Sequence, residues 1–253
     1  MAESLSAVIV TKNEAIRLSK CLESLSFVDE IVIVDSGSID ETQSIARAYG
    51  CRVIEQNWLG FGPQKRFAIE KAKNNWVLCL DADEWISSEL ASTIELLFQS
   101  NLKYKAYQMP RRNYFMGKWL RHGEGYPDWS LRLFDRRFAQ WNDEKVHEQV
   151  ETKEKVGSLK GDIFHESQDS IYSYLEKQNQ YTSLQAERLY KLGKKAFLFK
   201  LLFNPLYRFF RIYFVRLGFL DGIPGLIHIL IGCFNSFCKY VKLRELYNKG
   251  KER

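Results

Sequence analysis

The chain has 253 residues, 45% of them hydrophobic and 27% charged, and its sequence contains no low-complexity tract. This length can bury a core as one α/β domain, or as one domain with an appendage, and the composition excludes an intrinsically disordered protein. The formal net charge of +6 is unevenly distributed, because residues 188–253 carry 14 Lys/Arg against three Asp/Glu and the remainder is net acidic. The basic character therefore belongs to one segment.

Cysteine usage and the first residues both predict a cytoplasmic protein. The five cysteines are odd in number, and none lies in a CxxC pair or at zinc-ligand spacing, so we expect reduced thiols. They are Cys21, Cys51, Cys79, Cys233 and Cys238. The segment Met-Ala-Glu-Ser-Leu-Ser is too acidic and too short in apolar length for a signal peptide.

The first elements predict a repeated strand–loop–helix pattern. Leu5–Val10 is an apolar run typical of a buried strand, and the polar segment Thr11–Glu14 separates it from an amphipathic helix. Glu30–Val34 is a second, β-branched strand that ends in the polar segment Asp35–Asp40. Each strand is thus followed by a polar tip.

The next segment predicts a second helix and a third strand. Ser38 is followed three positions later by a glutamate, which is the spacing of a capping box. We therefore expect a helix over Ser38–Tyr49, ended by the glycine that follows it. A third strand is predicted over Arg52–Glu55.

The fourth predicted strand ends in three carboxylates. A loop and a helix over Gln64–Lys73, with Lys65 and Arg66 in its first turn, precede the apolar run Trp76–Leu80. The run ends in Asp81-Ala-Asp83-Glu84. Four apolar residues or more, bounded by polar ones, are typical of a strand buried on both faces of a parallel sheet.

Alternating strands and helices with short connections predict βαβ units and a parallel sheet, whose carboxyl edge binds ligands. The polar tips after the first, second and fourth strands would meet at that edge. An Asp-x-Asp pair offers hard oxygen ligands to Mg²⁺ or Mn²⁺, and such an ion would hold a diphosphate. A solvated acidic strand end is the alternative for the pair alone, and the convergence of three tips favours a site.

Further along the chain the pattern predicts a helix from Ser87 or Ser88 to about Asn101 and a strand over Tyr104–Arg111. Residues 112–135 are rich in aromatic residues, arginine and glycine. Such a segment is typical of a mobile, ligand-facing region, and also of a loop packed by its own aromatic side chains. Arg132, in this segment, could add a bidentate phosphate contact.

The order TKNE, VDSGSID, a Gln-Lys-Arg helix and VLCLDADE resembles the family-2 glycosyltransferases of GT-A fold over about the first 100 residues. The later stretches LRLF, VHE, FHES and GFLDG resemble one subgroup, the bacterial lipopolysaccharide inner-core β-1,4-glucosyltransferases. The implied fold class is α/β, with a Rossmann-like GT-A domain of nucleotide-diphospho-sugar transferases and a C-terminal helical extension.

The resemblance implies an inverting transfer of a hexose, with glucose as the expected sugar, from a UDP-sugar to the heptose region of a lipopolysaccharide core. On this resemblance Thr11, Glu14 and Asp35 would contact the uridine. Lys65 or Arg66 would lie near the nucleotide. A divalent metal, Mg²⁺ or Mn²⁺, would be held mainly by Asp83, with Asp81 assisting.

The expected catalytic base is Glu148, because an inverting displacement uses a carboxylate and the VHE stretch lies where the subgroup places its acid. Asp128 and Glu124 are the rival carboxylates. His165 would complete the metal sphere through a ring nitrogen, or it is a hydrogen-bonded structural histidine.

The C-terminal region predicts membrane association. Between Glu187 and Asp221 the sequence has eight Lys/Arg and no acid, interleaved with aromatic residues at helical spacing. This pattern is typical of an interfacial helix on an anionic membrane surface, here the inner face of the cytoplasmic membrane. The uncharged run over 222–238 is at the lower limit for a span, so we expect it to lie on the membrane. No RNA-binding signature accompanies the cations, so no nucleic-acid partner is expected.

These interpretations predict a catalytic domain over residues 1–170, with a nucleotide half at about 1–100 and an acceptor half at about 101–170. Residues 171–253 would form the helical membrane-associated region. Two alternative functions remain at this point. The chain could act on another lipid-linked glycan, or it could be a non-catalytic, membrane-peripheral protein that binds a sugar nucleotide and lacks the base.

Overall fold

The computed structural model of the chain describes residues 3–100, 102–142, 148–166, 170–195 and 197–249. It divides into two compact units. The first, here called the sheet unit, comprises Met1–Arg112 and Asp128–Glu166, and the second, the helical unit, comprises Asn113–Pro127 and Ser167–Arg253. The segment 113–127 thus groups with the C-terminal helices, whereas the sequence placed it in the acceptor half. The predicted domain boundary near residue 170 stays a prediction.

The sheet unit alternates strands and helices through its first hundred residues. Its strands are β1 (Leu5–Thr11), β2 (Glu30–Asp35), β3 (Arg52–Glu55), β4 (Trp76–Asp81), β5 (Glu84–Ile86), β6 (Ala106–Phe115, which continues into the helical unit), β8 (Asp128–Asp135), β9 (Ala139–Trp141), β10 (Val150–Thr152), β11 (Val156–Ser158) and β12 (Ile163–His165). Its helices are α1 (Ala15–Glu23), α2 (Thr42–Ala48), α3 (Phe61–Lys71) and α4 (Ser88–Gln99). The four predicted strands and the helix capped by Ser87 are confirmed.

The main sheet has the strand order β3-β2-β1-β4-β8-β6-β12-β5, with β11 paired to β6. The first four strands are parallel, and β8 and β6 continue the sheet in antiparallel pairing. In β1, Thr11 pairs with Asp35 of β2 and Val10 pairs with Asp81 of β4. The three polar tips therefore lie at one edge of the sheet, as the sequence predicted.

The core lies on both faces of this sheet, because alternate residues of each central strand point to opposite sides. On one face Leu5, Ala7 and Ile9 pack in the cluster that contains the buried residues of α1 and α4. On the other face Val8 packs with residues of β2 and α3. Burial on both faces explains why β1, β2 and β4 are continuous apolar runs in the sequence.

Helix α2 begins at Thr42, so the predicted start at Ser38 is wrong. The Ser38 hydroxyl does not cap a helix; it donates to the Asp35 carboxylate and accepts a hydrogen bond from Asn13 N at 2.8 Å. Asp40 instead accepts from the backbone N–H and the hydroxyl of Thr42. A tertiary contact with the first polar tip thus replaces the local capping box.

A close approach at Gly161 fixes β12 against the start of α4. Gly161 has φ +93°, and a Cβ atom there would lie 2.3 Å from Leu90 N. The following residue, Asp162, donates its N–H to Ser87 Oγ at 3.0 Å and accepts from Ser87 N at 2.9 Å. The strand that follows carries His165, so this glycine sets the position of that side chain.

We expect Gly161→Ala to lower the free energy of unfolding by at least about 2 kcal/mol, since it combines a left-handed backbone with overlap against backbone atoms. Urea unfolding of the purified protein measures this loss. Gly50→Ala is the matched control, because Gly50 has φ +75° but nothing within 4 Å of a Cβ, so it reports backbone strain alone. Equal losses in the two variants would contradict the role of the close approach.

The helical unit contains β7 (Lys118–Trp119), α5 (Ile171–Lys191), α6 (Leu198–Phe210) and α7 (Gly222–Lys249). A π-helical turn (Arg211–Val215) continues α6, and a 3₁₀ turn (Gly218–Asp221) precedes α7. Asp221, in the GFLDG stretch, is buried and accepts hydrogen bonds from Arg121 N and His122 N. This carboxylate ties the loop after β7 to the start of α7, and the C-terminal extension is helical as predicted.

Candidate active site

The first two polar tips are joined by direct hydrogen bonds. Asn13, which adopts a left-handed conformation with φ 55°, accepts from Ile39 N at 2.9 Å through its side-chain oxygen. Its backbone N–H donates to Ser38. Glu14 N donates to Thr42 Oγ1 at 2.8 Å, while the Glu14 carboxylate accepts from Arg17 at 3.1 Å. The loops after β1 and β2 therefore form one preorganised rim.

Asp35 shapes this rim from within. It is fully buried at the end of β2, and its Oδ1 accepts from Gly37 N, Ser38 N and Gln43 Nε2 at 3.1, 2.9 and 2.8 Å. Thr11, at the end of β1, is also buried, and its hydroxyl finds no hydrogen-bond partner among the described residues. The predicted uridine contacts Thr11, Glu14 and Asp35 thus lie together at the carboxyl edge.

Lys65 links the acidic tip of β4 to Glu148. Its ammonium lies 2.9 Å from Asp81 Oδ1 and 3.3 Å from Glu148 Oε1, and the Lys65 side chain is only 7% exposed. The same ammonium lies 4.6 Å from the centre of the Trp141 ring. Lys65, which the sequence placed near the nucleotide, and Glu148, the predicted base, are therefore in direct contact although they lie far apart in the sequence.

Arg132 and Glu84 extend this chain of opposite charges. Arg132 Nη2 donates to Asp81 Oδ2 at 3.2 Å and to Glu84 Oε1 at 2.8 Å. Glu84 is fully buried; it also accepts from Asp81 N at 3.0 Å and from Arg111 Nη1 at 3.1 Å. Arg111 in turn binds Asp128 Oδ2 through Nε and Nη2, at 2.9 and 2.6 Å.

The surrounding charges fix the ionisation states of this cluster. Burial disfavours the charged form of Asp81, but the Lys65 ammonium and the Arg132 guanidinium outweigh it and hold the pKa of Asp81 well below its usual range. Burial also opposes the charge on Arg132, yet the carboxylates of Glu84 and Asp81 raise the pKa of Arg132 above its usual value. Asp81 and Arg132 are therefore both ionised throughout the neutral range. The Arg132 Nη1 group is buried without a hydrogen-bond partner among the described residues.

Asp83 and His165 form a second, separate pair beside this cluster. β12 pairs antiparallel with β5, and the register sets His165 opposite Glu84. His165 Nε2 consequently lies 3.5 Å from Asp83 Oδ2, and both side chains are 17% exposed. The two side chains come from positions more than 80 residues apart in the sequence.

The donor atoms of this pair fit a divalent cation. A carboxylate oxygen and an imidazole nitrogen converge, and Mg²⁺-type sites commonly use only one or two protein ligands, with substrate phosphates and water completing the sphere. Among the described residues no group of three or more His, Cys, Asp or Glu forms a complete metal site. Asp81, the predicted assisting ligand, is engaged with Lys65 and Arg132.

The remaining predicted residues, Arg66 and the two rival bases, have other partners. Arg66 donates to the Trp141 carbonyl at 2.8 Å, and it lines a groove of about 420 Å³ with Arg136 and Arg137. Asp128, a rival base, is bound by Arg111. Glu124, the other rival, belongs to the helical unit, where it pairs with Arg208.

Sequence reasoning missed three residues that organise the site. Glu84 and Arg111 hold the charged cluster together, and Gln64 is a buried connector that donates to Ser36 Oγ at 3.0 Å and accepts from Leu59 N at 3.1 Å. The signal for Glu84 was present, as the third carboxylate after β4. Arg111 belongs to no motif, and Gln64 was recognised only as part of the Gln-Lys-Arg helix, because their roles depend on pairing between β6 and β8 and on the path of the loop before α3.

Comparison with known proteins identifies the family. The family model for Glycosyl transferase family 2 matches residues 6–153, more than half of the chain and nearly all of the sheet unit. The chain belongs to this family. A glycosyltransferase of Rickettsia felis is 35% identical over 263 residues, covering 98% of this chain and 92% of that protein.

A second relative of this family-2 glycosyltransferase has a more specific name. The lipopolysaccharide core biosynthesis glycosyltransferase LpsC of Rhizobium meliloti is 31% identical over 248 residues, covering 95% of this chain and 92% of that protein. The resemblance predicted from the TKNE, VDSGSID and VLCLDADE motifs is confirmed.

The fold of this glycosyltransferase matches solved structures. Residues 1–349 of S. aureus TarS, solved in complex with UDP-GlcNAc, superpose with a TM-score of 0.51 at 14% identity, covering 98% of this chain and 92% of that one. At this identity the likeness shows the fold alone, and the predicted GT-A fold is confirmed.

Proposed function

We propose that the protein transfers a hexose, with glucose as the expected sugar, from a UDP-sugar to the heptose region of a lipopolysaccharide core, with inversion at the anomeric carbon. The observation that carries the proposal is the charged cluster of Lys65, Asp81, Arg132 and Glu148 at the carboxyl edge of the sheet. The likeness to LpsC over 95% of this chain supports the acceptor class. The reaction would take place in the cytoplasm, consistent with five free cysteines.

Glu148 serves as the base in this proposal. Its carboxylate takes the proton of the acceptor hydroxyl as that oxygen attacks the anomeric carbon, while the bond from this carbon to the diphosphate breaks on the opposite side. Lys65, 3.3 Å from Glu148 Oε1, orients the carboxylate. Lys65 also contacts Asp81 at the end of β4, where the donor is proposed to bind, so the same lysine links the base to the donor side of the site.

The donor diphosphate meets a cationic environment. Arg132 is 4% exposed, and its Nη1 group has no hydrogen-bond partner among the described residues, so it retains a donor for an incoming anion. A divalent metal bound by Asp83 and His165 would neutralise the departing diphosphate as a Lewis acid. Thr11, Glu14 and Asp35 shape the rim proposed to receive the uridine.

A panel of nucleotide sugars tested with a truncated core-lipid acceptor examines the proposed function directly. We expect turnover with a UDP-hexose and a β-linked product from the α-linked donor, identified by nuclear magnetic resonance. An α-linked product would contradict inversion. Turnover only with a different lipid-linked glycan would move the acceptor to another class, and donor binding without turnover on any acceptor would leave a non-catalytic protein.

Asp83→Ala is expected to remove the response of UDP affinity to Mg²⁺ or Mn²⁺, because it deletes the carboxylate of the proposed metal pair. Titration calorimetry with UDP, with and without the metal ion, measures this response. His165→Ala should weaken the same response. Glu95→Ala, which removes an exposed carboxylate on α4, is the control and should behave like the unmodified protein. An unchanged metal response in Asp83→Ala would overturn the assignment.

A further inference from the structure

One face of α6 and the π-helical turn after it is apolar and exposed. Phe199, Phe203, Tyr207, Phe210 and Phe214 follow one another at intervals of three or four residues, and they are 64%, 52%, 67%, 59% and 51% exposed. At this spacing, side chains lie on the same side of a helix. These five residues are called the aromatic face below.

The opposite side of the same segment packs inside the helical unit. Ile212 is buried in a cluster with Ile229 and Cys233 of α7, and Phe209 and Tyr213 pack against that cluster. This inner side therefore supplies the contacts that hold the segment in the helical unit. The aromatic face is additional apolar surface, far more than the single exposed hydrophobic residues that soluble proteins normally show.

The charged residues of the sequence interval that contains the aromatic face all have one sign. No acid occurs between Glu187 and Asp221, and Asp221 is itself only 2% exposed. Six cations of this interval are exposed, namely Arg188, Lys191, Lys194, Lys195, Lys200 and Arg211, and the last four are the ones tested below. An apolar helix face flanked by exposed cations without acids complements a surface that is apolar below and anionic above.

A groove lies within the aromatic face. It has a volume of about 640 Å³ and is lined by Tyr207, Phe210, Arg211, Phe214 and Val215. Its lining is apolar except for one guanidinium and one phenol. This combination suits a lipid, with a hydrocarbon chain against the rings and a phosphate near Arg211.

Helix α7 is the stretch with the length and composition to cross a membrane: within the described residues, Gly218–Lys249 passes that test, with 33% of its most apolar window buried. Two of its polar residues, however, bind polar groups of α5. Lys242 Nζ donates to Asn179 Oδ1, Thr182 Oγ1 and Ser183 Oγ of α5 at 2.6, 2.8 and 2.8 Å. Asn235 donates to Gln178 of α5 at 2.7 Å.

These contacts hold α7 as a packed member of the helical unit. If α7 alone crossed a membrane, the Lys242 and Asn235 contacts with α5 would break, and Lys239 and Lys242 would be carried toward lipid. Placing these charged side chains in lipid costs free energy, and the packed arrangement avoids that cost. The aromatic face of α6 and its π-helical turn remains exposed, and α7 adds exposed apolar side chains of its own at Ile223, Leu230 and Phe234, which are 71%, 49% and 61% exposed.

We propose that the aromatic face is a docking surface for an anionic lipid bilayer, with α6 lying in the plane of the interface and the helical unit remaining on one side of it. The proposal goes beyond the proposed function, because it concerns the helical unit alone and requires neither a donor nor an acceptor.

A second copy of the chain fits this surface less well. In a symmetric dimer the same patch meets itself, so Lys200 and Arg211 of both copies would be brought together with no exposed acid from 188 to 220 to offset them. An anionic bilayer supplies the missing negative charge. Dimer formation is therefore an outcome that the experiment distinguishes.

The experiment is flotation of the full-length protein with vesicles of phosphatidylethanolamine and phosphatidylglycerol, compared with vesicles of phosphatidylcholine. We expect partition into the anionic vesicles to be at least about tenfold stronger and to fall when salt is raised to 0.5 M, since exposed charges are then screened. Release from the anionic vesicles by alkaline carbonate is expected for a protein lying on the surface. Resistance to every extraction except detergent would show a span and overturn the proposal.

Two sets of variants test separately how the cations and the aromatic rings contribute to membrane binding. Changing Lys194, Lys195, Lys200 and Arg211 to Glu, and separately changing Phe203, Phe210 and Phe214 to Gln, should each lower the partition at least about tenfold. Arg208 and Arg216 stay unchanged, because Arg208 pairs with Glu124 and Arg216 donates to the Pro127 carbonyl. Circular dichroism and thermal unfolding check that both sets remain folded.

The matched controls lie in the sheet unit. Lys153, Lys155 and Lys160 changed to Glu alter the net charge in the same direction at exposed positions, and Leu96→Gln removes an exposed apolar side chain that is 64% exposed. Both controls should partition like the unmodified protein. Equal losses in the controls, partition without preference for anionic vesicles, or a stable dimer that the phenylalanine variants abolish would overturn the proposal. UDP binding without vesicles reports on the proposed function separately.

Discussion

Glu148→Gln is expected to lower kcat by about 10²-fold or more while donor binding is kept, because the amide is nearly the same size and cannot accept the hydroxyl proton. Lys65 keeps its contact with Asp81 in this variant, so the donor side of the site is preserved. Initial rates with saturating UDP-sugar give kcat, and calorimetry with UDP gives the affinity. A fall in kcat with little change in UDP affinity is the signature of a lost base.

Asp128→Asn is the comparison variant for this prediction. Asp128 Oδ2 accepts two hydrogen bonds from Arg111, so this oxygen is committed to a structural partner. We expect it to reduce kcat less than Glu148→Gln does. A nearly active Glu148→Gln protein together with an inactive Asp128→Asn protein would transfer the role of base to Asp128.

The sequence predicted those parts of the fold that depend on local patterns. β1, β2 and β4 are continuous apolar runs because each is covered on both faces, and the polar residues after them end at one edge because the strands are parallel. Helix α4 begins where Ser87 caps it, accepting from Leu90 N at 3.1 Å. In each of these cases the element is determined by a few residues that are neighbours in the sequence.

Contacts between distant segments were not predictable in the same way. The start of α2 was wrong because Ser38 binds Asp35 and the first polar tip, a partner that the capping pattern does not contain. Arg111 faces Asp128 only through the register of β6 on β8, which shifts between Tyr107 and Gln108. A shift of one residue would turn the guanidinium to the other face of the sheet.

The composition of the C-terminal region predicted its surface chemistry but not its geometry. Eight cations lie between Glu187 and Asp221, but the sequence does not indicate which of them are exposed and which bind a partner. The structure separates them, since Arg208 and Arg216 bind groups within the helical unit while Lys200 and Arg211 are exposed. The uncharged run at 222–238 likewise gave no indication that Asn235 has a partner on α5.

Glu84→Ala is expected to lower the free energy of unfolding by about 3–5 kcal/mol, the loss typical when one partner of a buried ion pair is removed. Glu84 is fully buried and is bound by both Arg111 and Arg132, at 3.1 and 2.8 Å. Without it, the buried Arg132 and the partly exposed Arg111 lose a shared counter-charge, and Asp81 N loses its acceptor. Urea unfolding followed by circular dichroism measures the loss.

Glu89→Gln is the control variant. Glu89 lies at the exposed start of α4, so this change removes an exposed carboxylate and should alter the free energy of unfolding by less than about 1 kcal/mol. Glu84→Gln separates charge from packing, since it keeps the side-chain volume and one carbonyl acceptor. We expect it to retain the fold but to weaken UDP binding, because Arg132 then has Asp81 as its remaining charged partner in the cluster. Stability within about 1 kcal/mol of the unmodified protein in Glu84→Ala would contradict the view that this carboxylate holds the charged cluster together.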